Sequence, residues 1–405
     1  MTTRSSSPSQ HRIFSHHIPF SKSDFILIGL VVICALLYAL LMFDLQINII
    51  YFIPLLVVSF FYLIKSWHDG LISPLDLPVI TLLILSFLGI FFTPFTELFI
   101  PKLSGLILGV SIYIVITAFF RYRQRLSLMI FSLLFLSIFI TVLALVATDW
   151  PIGNMALFDR VYEHLPSLAG KLGVEKINKN TIGGALTFFP PLLLSLFWDK
   201  GAFGRLKSHY LKLSSFPEAV YKSIVFLCFA LSLGALILTQ SRGAWLGCAA
   251  GIYLLCVLRD KRFLWLLLPL TIIVSLIFFQ QANGNLLLML SLLDTRQEAT
   301  LPGRMEIWSK ALIMLRDFPL TGIGLGTFGE VYRLYFASIV LPSAGDIVYH
   351  AHNTLLSVAV EVGLPGVLVY STLLGSFGAI SWDAMKHKRT VNRVLATGLA
   401  CGVFG

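Results

Sequence analysis

Three short segments of this chain carry residue types that could do chemistry. HAHNTLLSVAVEVGLPG, His350 to Gly366, places two histidines and an asparagine at the mouth of an apolar helix. TQSRGAWLG (Thr239 to Gly247) and PGRMEIWSKAL (Pro302 to Leu312) each contribute an arginine. An imidazole near neutrality can take a proton from a hydroxyl, so His352 is a candidate general base; the plainer reading is a hydrogen-bonded structural histidine beside Asn353. The planar fork of Arg242 suits a pair of diphosphate oxygens better than a lysine does, and Gly243 lets the chain turn tightly beside it. The plainer reading of Arg242 is a cation snorkelling at a membrane surface. Arg304 follows Pro302 and Gly303 at the start of a helix, where unpaired amides attract anions; alone it reads as a solvated arginine. His350 could be a second ligand beside His352, but Glu361 lies about 13 Å along a helix from His352 and no carboxylate completes a metal site. No metal is expected.

These residues need elements to hold them, and composition names the class. The chain is 57% hydrophobic and 12% charged, with a mean hydropathy of +0.87. That balance excludes an ordinary soluble domain, and span-length apolar stretches recur throughout. The expected fold is all-α: a polytopic helical membrane protein with about 11–12 transmembrane helices and a large outer loop carrying short helices. Spans are expected at Phe25 to Phe43, Ile47 to Ile64, Leu77 to Phe92, Leu103 to Phe120 and Leu126 to Ala147. Others are expected at Ile182 to Phe197, Ile224 to Leu238, Ala244 to Leu258, Phe263 to Phe279 and Thr354 to Ile380. A further apolar stretch begins near Val394; a helix ending inside a bilayer strands its last carbonyls, so the natural protein is expected to continue past Gly405. Met1 to Ser23 is polar and basic, without the pattern of a cleavable signal. The five cysteines all fall in apolar spans and read as small buried hydrophobes.

Basic clusters orient the map. Arg4, Arg12 and Lys22 hold the N-terminus inside, and the clusters at Arg121 to Arg125, Lys200 to Lys212, Arg259 to Arg262 and Lys386 to Arg389 fall on that same side. The net charge of +10 is then topology and contact with anionic membrane lipids, with no sign of nucleic acid. Two long segments lie outside, Thr148 to Asn180 and Gln280 to Ala351. Segments this long usually carry function. In the second, Met305, Trp308, Leu312 and Leu315 recur at helical spacing after Pro302, and Pro319 ends the run. TGIGLGTF (Thr321 to Phe328) has the look of a dinucleotide glycine pattern but lacks a βαβ context, so its glycines are expected to fold the segment back on the membrane. In the first, Arg160, Lys176, Asn178, Lys179 and Asn180 offer secondary polar contacts, or simple loop solvation.

Together these motifs resemble the bacterial O-antigen ligase and polymerase superfamily of membrane glycosyltransferases. The likeness rests on the TQSRGAWLG turn, the GRMEIWSKALIMLRDFPLTGIGLGTF block and the HAHNTLLSVAVEVGLPG block, in that order, from Thr239 to Gly366. It implies a multi-pass enzyme of a Gram-negative inner membrane, N-terminus cytoplasmic and active site periplasmic. It implies glycan transfer from undecaprenyl diphosphate to a lipid A-core acceptor, inverting at the anomeric carbon, with no nucleotide sugar, no cofactor and no required metal. Arg242 and Arg304 match the family's diphosphate-holding arginines and His352 its histidine beside the acceptor; Arg160, Lys176, Asn180, His350 and Asn353 are secondary. The expected organisation is a bundle over 1–280, a periplasmic region over 281–351 and C-terminal helices over 352–405. The enzymatic alternatives are an O-antigen polymerase and a protein O-oligosaccharyltransferase; the non-enzymatic one is a lipid-linked glycan flippase or transporter. A transporter should carry charge at the bilayer midplane, whereas the marked charges here gather at one face.

The alternation of basic clusters makes a direct prediction. A probe cysteine placed between Gln280 and Ala351 should react with an impermeant reagent in intact cells once the outer membrane is permeable. Reaction only after the inner membrane is opened would reverse the orientation.

Overall fold

The structure is a computed structural model that describes residues 22–42, 49–123, 126–150, 156–165, 171, 176–198, 217–265, 269, 301–336, 350–386 and 390–404. Most of the expected span at Phe263 to Phe279, the basic cluster at Lys200 to Lys212 and much of the 281–351 region lie outside these residues. Elsewhere the fold is all-α, as composition and periodicity require. Its helices are α1 (Lys22–Met42), α2 (Ile53–His68), α3 (Asp76–Leu88), α4 (Thr96–Arg123), α5 (Leu126–Ala147), α6 (Ala156–His164) and α7 (Lys179–Thr187). They continue with α8 (Phe189–Trp198), α9 (Glu218–Leu238), α10 (Arg242–Arg259), α11 (Leu301–Asp317), α12 (Phe328–Phe336), α13 (Thr354–Lys386) and α14 (Thr390–Phe404). Among the described residues, six stretches are long and apolar enough to cross a membrane: Thr96–Ala118, Ile130–Ala147, Lys179–Trp198, Glu218–Leu238, Arg242–Arg259 and Thr354–Lys386. Shorter apolar helices cover Ile28–Leu40, Ile53–His68 and Asp76–Phe91. Some hydroxyls inside these helices turn back on their own carbonyls, as Ser59 does to Leu55 and Thr187 to Gly183, which lets those side chains sit in an apolar helix.

The chain divides into two units. The first comprises residues 1–36, 115–252 and 383–405. There α8 packs against α9 and α14, and α9 against α5. Its core joins Ile130, Leu133 and Leu134 to Phe189, Leu192, Leu196 and Val225. The expected span from Ile182 to Phe197 is two helices, α7 and α8, meeting at Phe188 ahead of Pro190 and Pro191. Prolines belong in the first turn of a helix, where their missing N–H costs no bond. The segment between α5 and α7 is pinned at its base: Asp149 N–H donates to the Ile177 carbonyl and Ile177 N–H to that of Ala147, each at 2.9 Å.

The second unit comprises residues 37–114 and 253–382. Its core gathers Ile307, Ala311 and Met314 of α11 with Ile323, Phe328, Val331, Ala351 and Val360. Of the run read at helical spacing along α11, Leu315 packs against this core and Trp308 is half-buried. Met305 and Leu312 are 59% and 56% exposed, while Ile307, Lys310, Ala311 and Met314 turn inward. Two apolar stripes run along this helix at the same spacing, and α12 selects the one that packs; periodicity cannot choose between them.

α13 is not one continuous helix. Gly363 (φ 81°, ψ 179°) breaks it two residues before Pro365. The break leaves backbone groups without helical partners, and TGIGLGTF supplies them. Ile323 N–H donates to the Val360 carbonyl at 2.9 Å, Gly324 N–H to that of Glu361 at 3.1 Å, and Leu364 N–H to that of Pro319 at 2.8 Å. The segment is thereby docked on the break itself. A Cβ at Gly363 would lie 2.5 Å from the Leu320 carbonyl oxygen. Gly363→Ala, in a backbone region open almost only to glycine, should cost about 3 kcal/mol or more. Gly105→Ala in α4, with nothing within 4 Å of the new methyl, should gain a few tenths to ~1 kcal/mol. Thermal unfolding of the two variants in detergent checks the contrast.

Candidate active site

α9 ends and α10 begins within four residues, and the hydrogen bonds of that turn place Arg242. The last carbonyls of a helix have no partner within it. Here Thr239 N–H takes those of Ala235 and Leu236, each at 3.2 Å, and Gln240 N–H takes that of Ile237 at 3.2 Å. The Trp245 indole also reaches the Leu236 carbonyl, at 3.0 Å. The Leu238 carbonyl is met from the segment between α5 and α7, by the Tyr162 hydroxyl at 2.7 Å. That hydroxyl in turn accepts from the Gln240 amide at 2.8 Å. Gln240 has φ 51°, a left-handed conformation uncommon outside glycine. Tyr162 is 5% exposed and stacked on Trp150, with ring centroids 5.4 Å apart. Burial, the largest influence, and Asp159 raise its pKa, so the phenol stays protonated and able to donate. Arg242 is the exposed first residue of α10, where the positive end of the helix dipole favours an anion.

The histidine motif sits at the head of α13. His352 is exposed and left-handed, with φ 48°, and its ring centroid lies 4.3 Å from that of His350. Asn353 is occupied: its side chain caps α13 by accepting from Leu356 N–H at 3.1 Å. Ala351 is buried, and its carbonyl accepts from the Trp308 indole at 2.9 Å, which ties α11 to the histidine loop. His350 is exposed by area, yet protein surrounds its ring. Desolvation first, and the positive charge of Lys102 second, hold its pKa below the usual imidazole value. Lys102 also faces the Glu361 carboxyl, which takes a hydrogen bond from Gly326 N–H. No motif ties residue 102 to residues 350 and 361; only the folded chain brings them together.

Arg304 is half-buried in the first turn of α11. Further along that helix, Lys310 is 8% exposed, 2.7 Å from Glu306 Oε1 and 3.1 Å from the Tyr332 hydroxyl. Burial alone would lower its pKa, but those two partners outweigh it and the net shift is upward. Lys310 therefore remains an ammonium ion that joins α11 to α12. The secondary residues separate in role. Arg160 is exposed on α6, and its carbonyl accepts from His164 at 2.7 Å. Lys176 makes an exposed ion pair with Asp149 at 3.4 Å, a geometry worth little in water. Asn178 caps α7 through Asn180 N–H at 2.8 Å, and Asn180 lines an open cleft of about 340 Å³ with Thr187, Ser241 and Gly243. Arg160, Lys176, Asn180 and Arg242 thus belong to the first unit; Arg304, His350, His352 and Asn353 belong to the second. Among the described residues, no group of three or more His, Cys, Asp or Glu side chains is arranged to hold a metal ion.

A polytopic helical protein with arginines and a histidine at helix starts is the class this geometry defines. Residues 227–371 match the family model of O-Antigen ligase, and over that segment the likeness read from the motifs is shown. The match spans Arg242, Arg304, His350, His352 and Asn353, and leaves Lys102, Arg160, Tyr162, Lys176 and Asn180 outside it. No curated protein matches the chain.

The two causes of the His350 shift are separable. Lys102→Met should raise the His350 pKa while leaving it below the usual value, because desolvation is the larger cause and remains. Histidine titration by NMR reads this. The lowered pKa means that the unfolded chain binds the extra proton more readily. Native stability should therefore fall as pH drops through the unfolded imidazole value of about 6.5, and fall less in Lys102→Met.

Proposed function

We propose that this protein is an O-antigen ligase. It transfers a glycan from undecaprenyl diphosphate to lipid A-core on the periplasmic face of the inner membrane, with inversion and without a metal ion. The observation that carries the reading is positional. Within the family-matched segment, Arg242 opens α10, Arg304 lies in the first turn of α11, and His352 stands two residues before α13. Each is at the positive end of a helix dipole, where negative charge is stabilised. A departing diphosphate needs that field, and two guanidinium groups supply it as a divalent cation would elsewhere.

In the proposed step, His352 takes the proton from an acceptor sugar hydroxyl as its oxygen bonds to the anomeric carbon of the donor. The bond from that carbon to the diphosphate oxygen breaks, and undecaprenyl diphosphate leaves with the bonding electrons. Arg242 and Arg304 hold the leaving charge. The strained backbone at His352 supports a functional role, since a left-handed non-glycine residue costs about 1–3 kcal/mol and persists where the surroundings impose it. The second unit imposes it through the Asn353 cap and the Trp308 bond to Ala351.

Purified, folded variants test the division of labour. Arg242→Ala or Arg304→Ala should lose both donor binding and transfer, with lysine recovering little at a bidentate site. His352→Ala should lose transfer by about 10²- to 10⁴-fold while still binding donor, because the base acts on the acceptor. Wild-type transfer by His352→Ala would require another base. Deleting the gene should leave lipid-linked polymer in place and strip it from core-lipid A. Loss of chain elongation instead would mark a polymerase.

A further inference from the structure

The Tyr162 hydroxyl carries two bonds that no motif announces. It donates to the Leu238 carbonyl at 2.7 Å and accepts from the Gln240 amide at 2.8 Å. A phenol has one proton and lone pairs to spare, so one group can do both. The first bond supplies a partner for the last carbonyl of α9. The second holds the side chain of Gln240, whose left-handed backbone lies two residues before Arg242. Tyr162 is itself fixed by burial, by stacking on Trp150 and by the tilted ring of Phe158, with centroids 6.3 Å apart. The base of its segment is closed by the paired bonds between Ala147, Asp149 and Ile177. A tethered outer segment therefore grips the turn from which Arg242 projects, and all of these residues lie in the first unit.

From this arrangement we infer that Tyr162 is a positioning residue for the anionic donor: with Gln240 it fixes the α9–α10 turn so that Arg242 meets a diphosphate. The inference rests on the reading that Arg242 holds the donor. It adds a requirement on the first outer segment, which lies outside the family-matched residues. Because the phenol touches no reacting atom, its loss acts on binding of the donor rather than on the chemical step.

The experiment measures undecaprenyl diphosphate affinity and turnover of the full chain in detergent or nanodiscs, with thermal unfolding alongside. Tyr162→Phe keeps the stacked ring and removes both bonds. It should weaken donor binding about tenfold, the loss expected of one to two net hydrogen bonds, with turnover at saturating donor within about twofold of wild type. In the Arg242→Ala background the same change should add almost nothing, since both act through one group. Gln240→Leu keeps the Leu238 bond and should weaken binding by about threefold; it serves if Tyr162→Phe does not fold. Unchanged donor affinity in Tyr162→Phe, with or without a lower melting temperature, overturns the inference. So does an equal loss with and without Arg242. If Arg242→Ala binds donor normally, the reading beneath it fails first, and that result is distinct.

Discussion

A helix that ends or breaks near a membrane strands backbone carbonyls and amides, and in lipid there is no water to take them up. This protein meets that constraint at two places, and much of its candidate chemistry sits beside them. At the α9–α10 turn the last carbonyl of α9 accepts from Tyr162, in the segment between α5 and α7. At the Gly363 break the exposed groups of Val360, Glu361 and Leu364 are satisfied by Pro319, Ile323 and Gly324. Polar segments that could have been loose connectors are thereby bound to helix ends by backbone bonds, which side-chain substitution does not erase.

Those bonds also determine where charge can be placed. Arg242, Arg304 and His352 stand at the starts of α10, α11 and α13. A helix start offers a fixed positive field without a mobile counter-ion, and such preorganised dipoles are the efficient way to stabilise charge that appears only during reaction. The caps around them are occupied by ordinary side chains. Asn353 holds α13, Asn178 holds α7, and the Trp308 indole holds the carbonyl between the two histidines. Lys310 illustrates the same economy: a buried ammonium meets Glu306 and Tyr332, and the rings of Tyr332 and Phe336 lie beneath it at 5.1 and 5.3 Å. It is a strut between α11 and α12.

Much of this was legible in the residues. Long apolar runs can only be helices when every backbone group must be satisfied within the segment, so the class and most helix positions followed from composition. Leu126 to Ala147 is reproduced residue for residue as α5, and Leu103 to Phe120 lies within α4. Pro319 stops α11 where a ring without an N–H must stop it. The arginine and histidine motifs, and the glycines of TGIGLGTF as shapers of a fold-back, were equally visible, because each depends on local chain stereochemistry. The packing face of a helix is less legible, because periodicity can be degenerate. α11 carries two apolar stripes, and the residues at Met305 and Leu312 fit the helical period as well as the pair Ile307 and Ala311 that packs.

Only the tertiary structure decided which distant groups meet. Tyr162 lies 76 residues from Leu238, and Trp308 lies 43 from Ala351; no spacing rule reaches so far. Lys102 belongs to none of the marked motifs, yet it faces His350 and Glu361 and shifts the first. The residue types, their order and the helical period were determined by the sequence alone, because steric limits, hydrophobicity and hydrogen-bond inventory act locally. The partners that satisfy a broken helix and set the protonation of a histidine were decided by the fold, because those interactions depend on distance through space and on burial, and neither is a property of a residue by itself.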